Sequence, residues 1–323
     1  MSLTYLLDVL SGTGMFLYGM KLLSDSLEAF AGDEVKSRMQ KVTGTPFKGV
    51  LLGAGVTGII QSSTATTLMT VGLINAGIMS IYEALPVIMG ANIGTTVTGQ
   101  ILRLNEISDN IPLLSLIKPS GTAPFFVLIG AVQKLFLKKT EHRQTSDIFI
   151  GLGILFLGMD LMEKGVAPLS QSEEFCNLFI LFQNPVPAIL TGIVMTAVLQ
   201  SSSVCVGILQ SLTVTDAVTL SCAVPIILGM NIGKVLPEFI ATLGTNKNTV
   251  RTIFADLTVN VCGVVIALAL FLSTDLIFDK SFDSIIATRS MIANFHTVFN
   301  LLTTFVLLPF YKKFIRASER IIR

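Results

Sequence analysis

Charge is scarce in this 323-residue sequence: 13% of the residues are Asp, Glu, Lys or Arg, where a soluble domain carries about a quarter. With 51% hydrophobic residues and a mean hydropathy of +0.74, the deficit excludes a water-soluble globular protein. It equally excludes a disordered chain, which needs low hydrophobicity. A basic excess is also lacking, since 22 Lys and Arg face 21 Asp and Glu for a net charge of +1. That removes the electrostatic footprint of a nucleic-acid binder. Cysteines are few and scattered: Cys176, Cys205, Cys222 and Cys262. They have neither zinc-site spacing nor the density of a disulfide framework, and read as reduced core residues. The opening MSLTYLLDVLSGTG lacks the basic n-region of a signal peptide. What remains abundant is apolar length, and it predicts an all-helical integral membrane protein.

A helix needs about 20 apolar residues to cross the hydrocarbon core. Stretches at 3–23, 80–102, 113–137, 147–168, 217–243, 252–272 and 291–311 meet that need, which predicts about seven full crossings. Two further apolar regions, 46–77 and 185–215, are each broken near the middle by a polar run, Gln61-Ser62-Ser63-Thr64 and Gln200-Ser201-Ser202-Ser203. Each half would extend roughly 22 Å at 1.5 Å per residue, too short to cross. Each region therefore predicts a re-entrant helical hairpin, broken at Gln-Ser-Ser, that emerges on the side it entered.

The positive-inside rule orients this map. Lys21, Lys36, Arg38, Lys41 and Lys48 cluster in 21–48, and Lys134, Lys138, Lys139 and Arg143 in 134–143. Lys247 and Arg251 lie in 244–251, and Lys312, Lys313, Arg316, Arg320 and Arg323 in the tail. Together these are 16 of the 22 basic residues. Seven crossings and two hairpins bring all four segments to one face, which places the N-terminus outside and the C-terminus in the cytoplasm.

An internal repeat is the most informative feature. Gln61-Ser62-Ser63 recurs as Gln200-Ser201-Ser202 at an offset of 139, and Asn92-Ile93-Gly94 recurs as Asn231-Ile232-Gly233 at the same offset. Gly19-Met20, Pro46, Gly53, Thr57, Pro86 and Gly90 return as Gly158-Met159, Pro185, Gly192, Thr196, Pro225 and Gly229. The chain thus divides into a first repeat, 1–137, and a second, 138–323. The basic segment 21–48 corresponds to 160–187, which holds Lys164 with Glu163, Glu173 and Glu174. Opposite charge bias in equivalent connections predicts inverted-topology repeats, the pattern of many secondary transporters.

Inverted repeats with interrupted helices predict a site near the midplane, where the breaks meet. Backbone N–H groups freed at a half-helix start attract an anion, and freed carbonyls and hydroxyls can replace the hydration shell of Na+. Gln61, Ser62, Ser63, Thr64, Thr66 and Thr67 suit both tasks in one repeat, and Gln200, Ser201, Ser202 and Ser203 in the other. Gly90-Ala91-Asn92-Ile93-Gly94-Thr95-Thr96 and Gly229-Met230-Asn231-Ile232-Gly233-Lys234-Val235 form a second duplicated constellation. Its glycines fit close helix packing, whereas the Asn92 and Asn231 amides need polar partners in hydrocarbon. Lys234 stands where the first repeat has Thr95. An intramembrane lysine is costly and functional by default. Three roles are open: contact with an anionic substrate, replacement of a bound cation, or snorkelling to the cytoplasmic side. An ion pair with Glu238, one turn on, is the structural alternative. Asp256 with Asn260 and His296 with Asn300 each lie four apart on a crossing, and Asp8 and Asp160 sit near helix ends.

Enzymatic motifs are lacking. Gly229-x-x-x-Gly233-Lys234-Val235 is one residue short of a P-loop and has no Ser or Thr after the lysine. The serine runs are not Gly-x-Ser-x-Gly elbows. An intramembrane serine hydrolase is thereby a remote reading.

The duplicated Gln-Ser-Ser-(Ser/Thr) with a downstream Gly-x-Asn-Ile-Gly resembles the type II sodium–phosphate cotransporter family, including its bacterial branch. Phe16-Leu17-Tyr18-Gly19-Met20-Lys21-Leu22 and Ala293-Asn294-Phe295-His296-Thr297-Val298-Phe299-Asn300 add to the likeness, which spans nearly the whole chain. The resemblance implies a secondary active transporter, not an enzyme, that moves inorganic phosphate with Na+ by alternating access. Phosphate would lie between the turns, bound by Gln61, Ser62, Ser63, Gln200, Ser201, Ser202, Asn92 and Asn231. Na+ would lie at Thr64, Thr66, Thr95, Thr96 and Ser203, and Lys234, Asp256 and His296 complete the functional candidates. No cofactor is expected beyond Na+ as the coupling ion. The partners are phosphate, sodium and the lipid bilayer of the cell (inner or plasma) membrane, with no nucleic acid; oligomeric state is not written in the sequence. The family's second repeat tends to read Asn-Ile-Gly-Thr, so Lys234 puts one hydroxyl-based cation position and the Na+ stoichiometry in question. Many bacterial members continue into a domain like the PhoU regulators, whereas this chain stops at a basic helix-like end, Tyr311 to Arg323. Two alternatives stand beside phosphate transport: a carrier for another small oxyanion, and a membrane phosphate sensor that moves nothing.

Overall fold

The computed structural model describes residues 3–40, 44–106, 119–137, 140–242, 244–277 and 281–322. Among them the backbone is helical and holds no strand, only an isolated bridge between Thr219 and Ile286. Lys41, Lys138, Lys139 and Arg323 of the charge map, and the 113–118 part of one expected span, lie outside the described residues.

The helices up to residue 137 are α1 (Leu3–Gln40), α2 (Pro46–Ile60), α3 (Ser63–Asn75), α4 (Ile81–Leu102) and α5 (Pro119–Phe136). Those after it are α6 (Thr140–Val166), a short α7 (Glu173–Leu181), α8 (Pro185–Leu199), α9 (Ser202–Leu212), α10 (Leu220–Gly233), α11 (Val235–Ala241) and α12 (Lys247–Ile277). Then come α13 (Arg289–Leu307) and α14 (Tyr311–Ile321). Helix starts reproduce the sequence offset: Pro46 matches Pro185, Ser63 matches Ser202, and Ile81 matches Leu220. Local chemistry fixes these starts. Thr45 caps α2 by accepting from Lys48 N, Asn184 caps α8 by accepting from Val186 N, and each helix has Pro in its first turn, where a missing N–H costs nothing.

Five helices among the described residues are long and apolar enough to cross a membrane: Leu3–Phe30, Gln144–Gln171, Leu220–Ala241, Lys247–Ile277 and Arg289–Ile321. A sixth appears if α7 and α8 count as one span bent by 99°. The chain is thus a multi-pass membrane protein, with fewer clear spans than the seven expected. The shortfall includes α4, whose 22 residues are long enough but include Glu83, Asn92, Thr95, Thr96, Thr98 and Gln100. It packs against α2, α3, α9, α12 and α13 and is largely buried, so it needs little apolar surface for lipid. The expected span at 217–243 is among the five, as Leu220–Ala241, but it carries a one-residue turn. It divides at Lys234 into α10 and α11, because Pro237 has no N–H to offer the Gly233 carbonyl four residues back.

Packing pairs equivalent elements. α1 runs antiparallel to α6, its counterpart by the offset, with Gly12 against Gly158 and Gly19 against Gly151. A Cβ on Gly19 would sit 2.5 Å from Leu155 N, so only glycine admits this approach. Phe16, Met20, Leu155, Phe156 and Met159 fill the core between them and reach Leu102 of α4. α2 runs parallel to α4, with Gly53 against Val87 O, Gly90 against Val50 O and Gly94 against Ala54 O. α8 repeats this against α10 through Gly192 on Ile226 O, Gly229 on Ile189 O and Gly233 on Ile193 O. The packing expected of the Gly-x-x-x-Gly glycines is therefore realised in backbone-to-backbone contact.

Candidate functional site

The two Gln-Ser-Ser turns share one backbone design. α2 ends at Ile60 and Gln61 takes a left-handed conformation (φ 60°), its N–H donating to Thr57 O at 2.7 Å. α8 ends at Leu199 and Gln200 does the same (φ 55°), donating to Thr196 O at 2.8 Å. A left-handed residue closes a helix, at a cost of roughly 1–2 kcal/mol for a residue with a side chain. The next helix starts at once: Ser62 Oγ accepts from Ala65 N at 3.2 Å, and Ser201 Oγ accepts from Val204 N at 3.3 Å. Within each first turn, Thr66 N and Cys205 N are used by the Ser62 and Ser201 carbonyls. The N–H groups of Ser63, Thr64, Ser202 and Ser203 remain as open donors at helix N-termini.

A tie across each turn holds the flanking helices side by side. Thr57 Oγ1 donates to Thr66 Oγ1 at 2.8 Å, whereas Thr196 Oγ1 donates to Cys205 Sγ at 3.4 Å. These partners are nine residues apart, which would separate them by about 13 Å along one straight helix. The duplication of Thr57 and Thr196 was visible in sequence; their reach across the turn was not.

Both turns open into one cavity of about 390 Å³, lined by Gln61, Ser62, Ser63 and Thr64, by Gln200, Ser201, Ser202 and Ser203, and by Lys234. Lys21, Ser24 and Asp25 of α1 complete its polar wall. Lys21 and Asp25 form an ion pair at 2.9 Å, and Ser24 Oγ donates to Gln61 O at 3.4 Å. Sequence reasoning missed this α1 wall, although Lys21 lies within the motif quoted from that helix. The two amides differ: Gln61 is buried, accepting from Thr98 Oγ1 at 2.7 Å and donating to Gly58 O. Gln200 is exposed, and Pro237 stands at the position equivalent to Thr98.

Asn92 and Asn231 meet at Lys234. The ammonium donates to Asn92 Oδ1 at 2.7 Å and to Asn231 Oδ1 at 3.4 Å, while Asn231 Nδ2 donates to Ile227 O. Lys234 is 5% exposed, so it does not snorkel, and its bonds go to the two amides rather than to Glu238. Asp256 and Glu238 lie close enough to act on its charge. Both Asp256 oxygens are buried without a partner in bonding geometry, with the Asn92 and Asn260 amides near them. His296 is buried with Nδ1 unpartnered, within electrostatic reach of Lys234. Asn260 and Asn300 donate to the Asp256 and His296 carbonyls of their own helices. Thr95 and Thr96 donate to Ala91 O and Ile93 O, leaving hydroxyl lone pairs to accept or coordinate. Asp160 pairs with Lys164 at 2.7 Å on the exposed end of α6.

A multi-pass helical membrane protein whose helix ends, amides and hydroxyls converge on one cavity has the architecture of a transporter. The profile of the Na+/Pi-cotransporter family matches residues 15–164 and 169–299, and the chain belongs to that family of phosphate transporters. It is 29% identical over 308 residues to the uncharacterized protein YqeW of Bacillus subtilis, covering 95% of each chain. It is 23% identical over 319 residues to the putative inorganic phosphate export protein YjbB of Escherichia coli, covering 98% of this chain and 56% of that one. A 104-residue stretch is 33% identical to the sodium-dependent phosphate transport protein 2A of Ovis aries, covering 31% of this chain and 16% of the transporter. The chain thus spans about half the length of YjbB. No solved structure matches it.

Proposed function

We propose that this protein carries inorganic phosphate across the cell membrane together with Na+, by alternating access. One observation carries the reading: two repeat-equivalent helices, α3 and α9, open their serine-capped N-termini into the same cavity. Open N–H donors and the positive ends of two helix dipoles suit a phosphate oxyanion. The Gln61, Ser62, Ser63, Gln200, Ser201 and Ser202 side chains supply the polar wall around it. The hydroxyls of Thr64, Thr66, Thr95, Thr96 and Ser203 are neutral oxygen donors that suit Na+.

Several features support two inverted repeats, 1–137 and 138–323, each with a re-entrant hairpin. α2 runs parallel to α4, and α8 to α10, so α3 and α9 must carry the chain back between them. α1 and α6 are equivalent, antiparallel and reciprocally packed, as a two-fold axis in the membrane plane requires. Exchange of conformations between such halves moves a cavity opening from one face to the other. The basic connections favour an outside N-terminus and a cytoplasmic C-terminus. Direction of flow then follows the gradients, so the export in YjbB's name and the sodium dependence in that of the 2A transporter fit one mechanism.

The test is uptake of 32P-labelled phosphate into proteoliposomes holding the purified chain. An inward Na+ gradient should accelerate uptake, whereas equal uptake with and without it removes the coupling, and no uptake removes transport.

A further inference from the structure

We infer that Lys234 is a tethered cation: its ammonium fills, in the second repeat, a position that Na+ would otherwise occupy. The inference rests on reading the cavity as a transport site, and it specifies which ions that site takes. Position is the first argument. Lys234 is the offset partner of Thr95, so a neutral oxygen donor in one repeat is replaced by a fixed positive charge in the other.

Coordination is the second. The ammonium is bound by Asn92 Oδ1 at 2.7 Å and Asn231 Oδ1 at 3.4 Å. These are themselves repeat equivalents, so the oxygens converge from both halves of the molecule. Carboxamide oxygens are hard neutral donors, the type that takes up Na+ as readily as an ammonium. Pro237 leaves the Gly233 carbonyl without its helical donor, adding an oxygen acceptor at the end of α10.

Charge balance is the third. Two buried carboxylates, Asp256 and Glu238, act on Lys234, and both Asp256 oxygens are unpartnered. Lys234 is buried yet forms part of the wall shared with both Gln-Ser-Ser turns. Without the ammonium, the pocket would hold oxygen donors and carboxylates with no cation, the condition under which Na+ is drawn in.

The experiment measures equilibrium 22Na+ binding to the purified full chain beside Lys234→Thr and Lys234→Met, each confirmed monodisperse. Threonine restores the hydroxyl of the first repeat; methionine keeps side-chain length without charge and serves if the threonine variant does not fold. Each folded variant should bind one more Na+ per chain than the parent, and saturating Na+ should raise its melting temperature more than the parent's. In proteoliposomes, the Hill coefficient for Na+ in phosphate uptake should rise by about one. Unchanged 22Na+ stoichiometry in a folded variant overturns the inference, as does charge compensation by proton uptake alone. The binding arm needs no phosphate. A chain that gains a Na+ but never transports phosphate sinks the proposed function and leaves the tethered cation standing. Normal transport with unchanged Na+ binding does the reverse.

Discussion

The two Gln-Ser-Ser turns have nearly the same backbone angles and are unlike in what surrounds them. Each has a left-handed glutamine, a serine cap and a new helix. Around the first, Gln61 is locked by Thr98 and Gly58, the crossing tie joins two hydroxyls, and α4 runs unbroken past Thr95. Around the second, Gln200 faces the cavity, the tie ends on a thiol, and the helix divides at Lys234 because Pro237 stands where Thr98 would be. The backbone that would face the anion on the proposed function is the same in both turns, while the side chains that would face the cation differ. On the proposed function, the first repeat is a fixed wall and the second brings its own charge.

The largest expected effect tests the shared part of this comparison. Gly90→Val and Gly229→Val each drive a Cβ into a backbone carbonyl, that of Val50 or Ile189, which rotamer changes cannot relieve. Overpacking of this kind costs about 3 kcal/mol or more. Both variants should lose most of their folded yield in size-exclusion chromatography. Tolerance of one and not the other would break the equivalence of the two helix pairs.

An intermediate effect sharpens the difference between the turns. Thr98→Val removes the donor to Gln61 Oε1 and should lower stability by about 1–3 kcal/mol, the cost of an orphaned buried acceptor. Pro237→Ala, at the equivalent place, should not lower the melting temperature, because Gln200 has no such donor to lose. A drop of similar size in both variants would mean the turns are held alike. The smallest effect concerns the ties. Cys205→Ser replaces a weak sulfur acceptor with the hydroxyl geometry of Thr57 and Thr66, and should stabilise by about 0.5–1 kcal/mol. Thr66→Cys should shift the melting temperature the other way.

Much of this was legible in the sequence, for physical reasons. The offset of 139 forecasts the starts of α2, α3 and α4 in α8, α9 and α10, because Pro, Ser and Gly impose local geometry that repeats with them. The polar runs at Gln61 and Gln200 coincide with helix ends, since a helix closed by a left-handed residue and reopened by a serine cap is a local event. Crossing number was less legible. Hydropathy measures contact with lipid, and α4 is enclosed by protein. Long-range contacts were not legible at all: Thr98 on Gln61 and Lys234 on Asn92 join residues 37 and 142 apart. The division at Lys234 could have been foreseen, because aligning Pro237 with Thr98 shows an N–H lost from one helix and kept in the other.

On the proposed function, one phosphate is held by both turns at once. Equilibrium binding of 32P-labelled phosphate to the purified chain, beside Ser63→Ala and Ser202→Ala, tests it most directly. A hydrogen bond to a charged ligand is worth about 1.5–3 kcal/mol, so each substitution alone should weaken binding by roughly 10-fold or more, with one phosphate per chain throughout. Unaltered affinity in either folded variant, or two phosphates per chain, would contradict a single site shared by the two repeats.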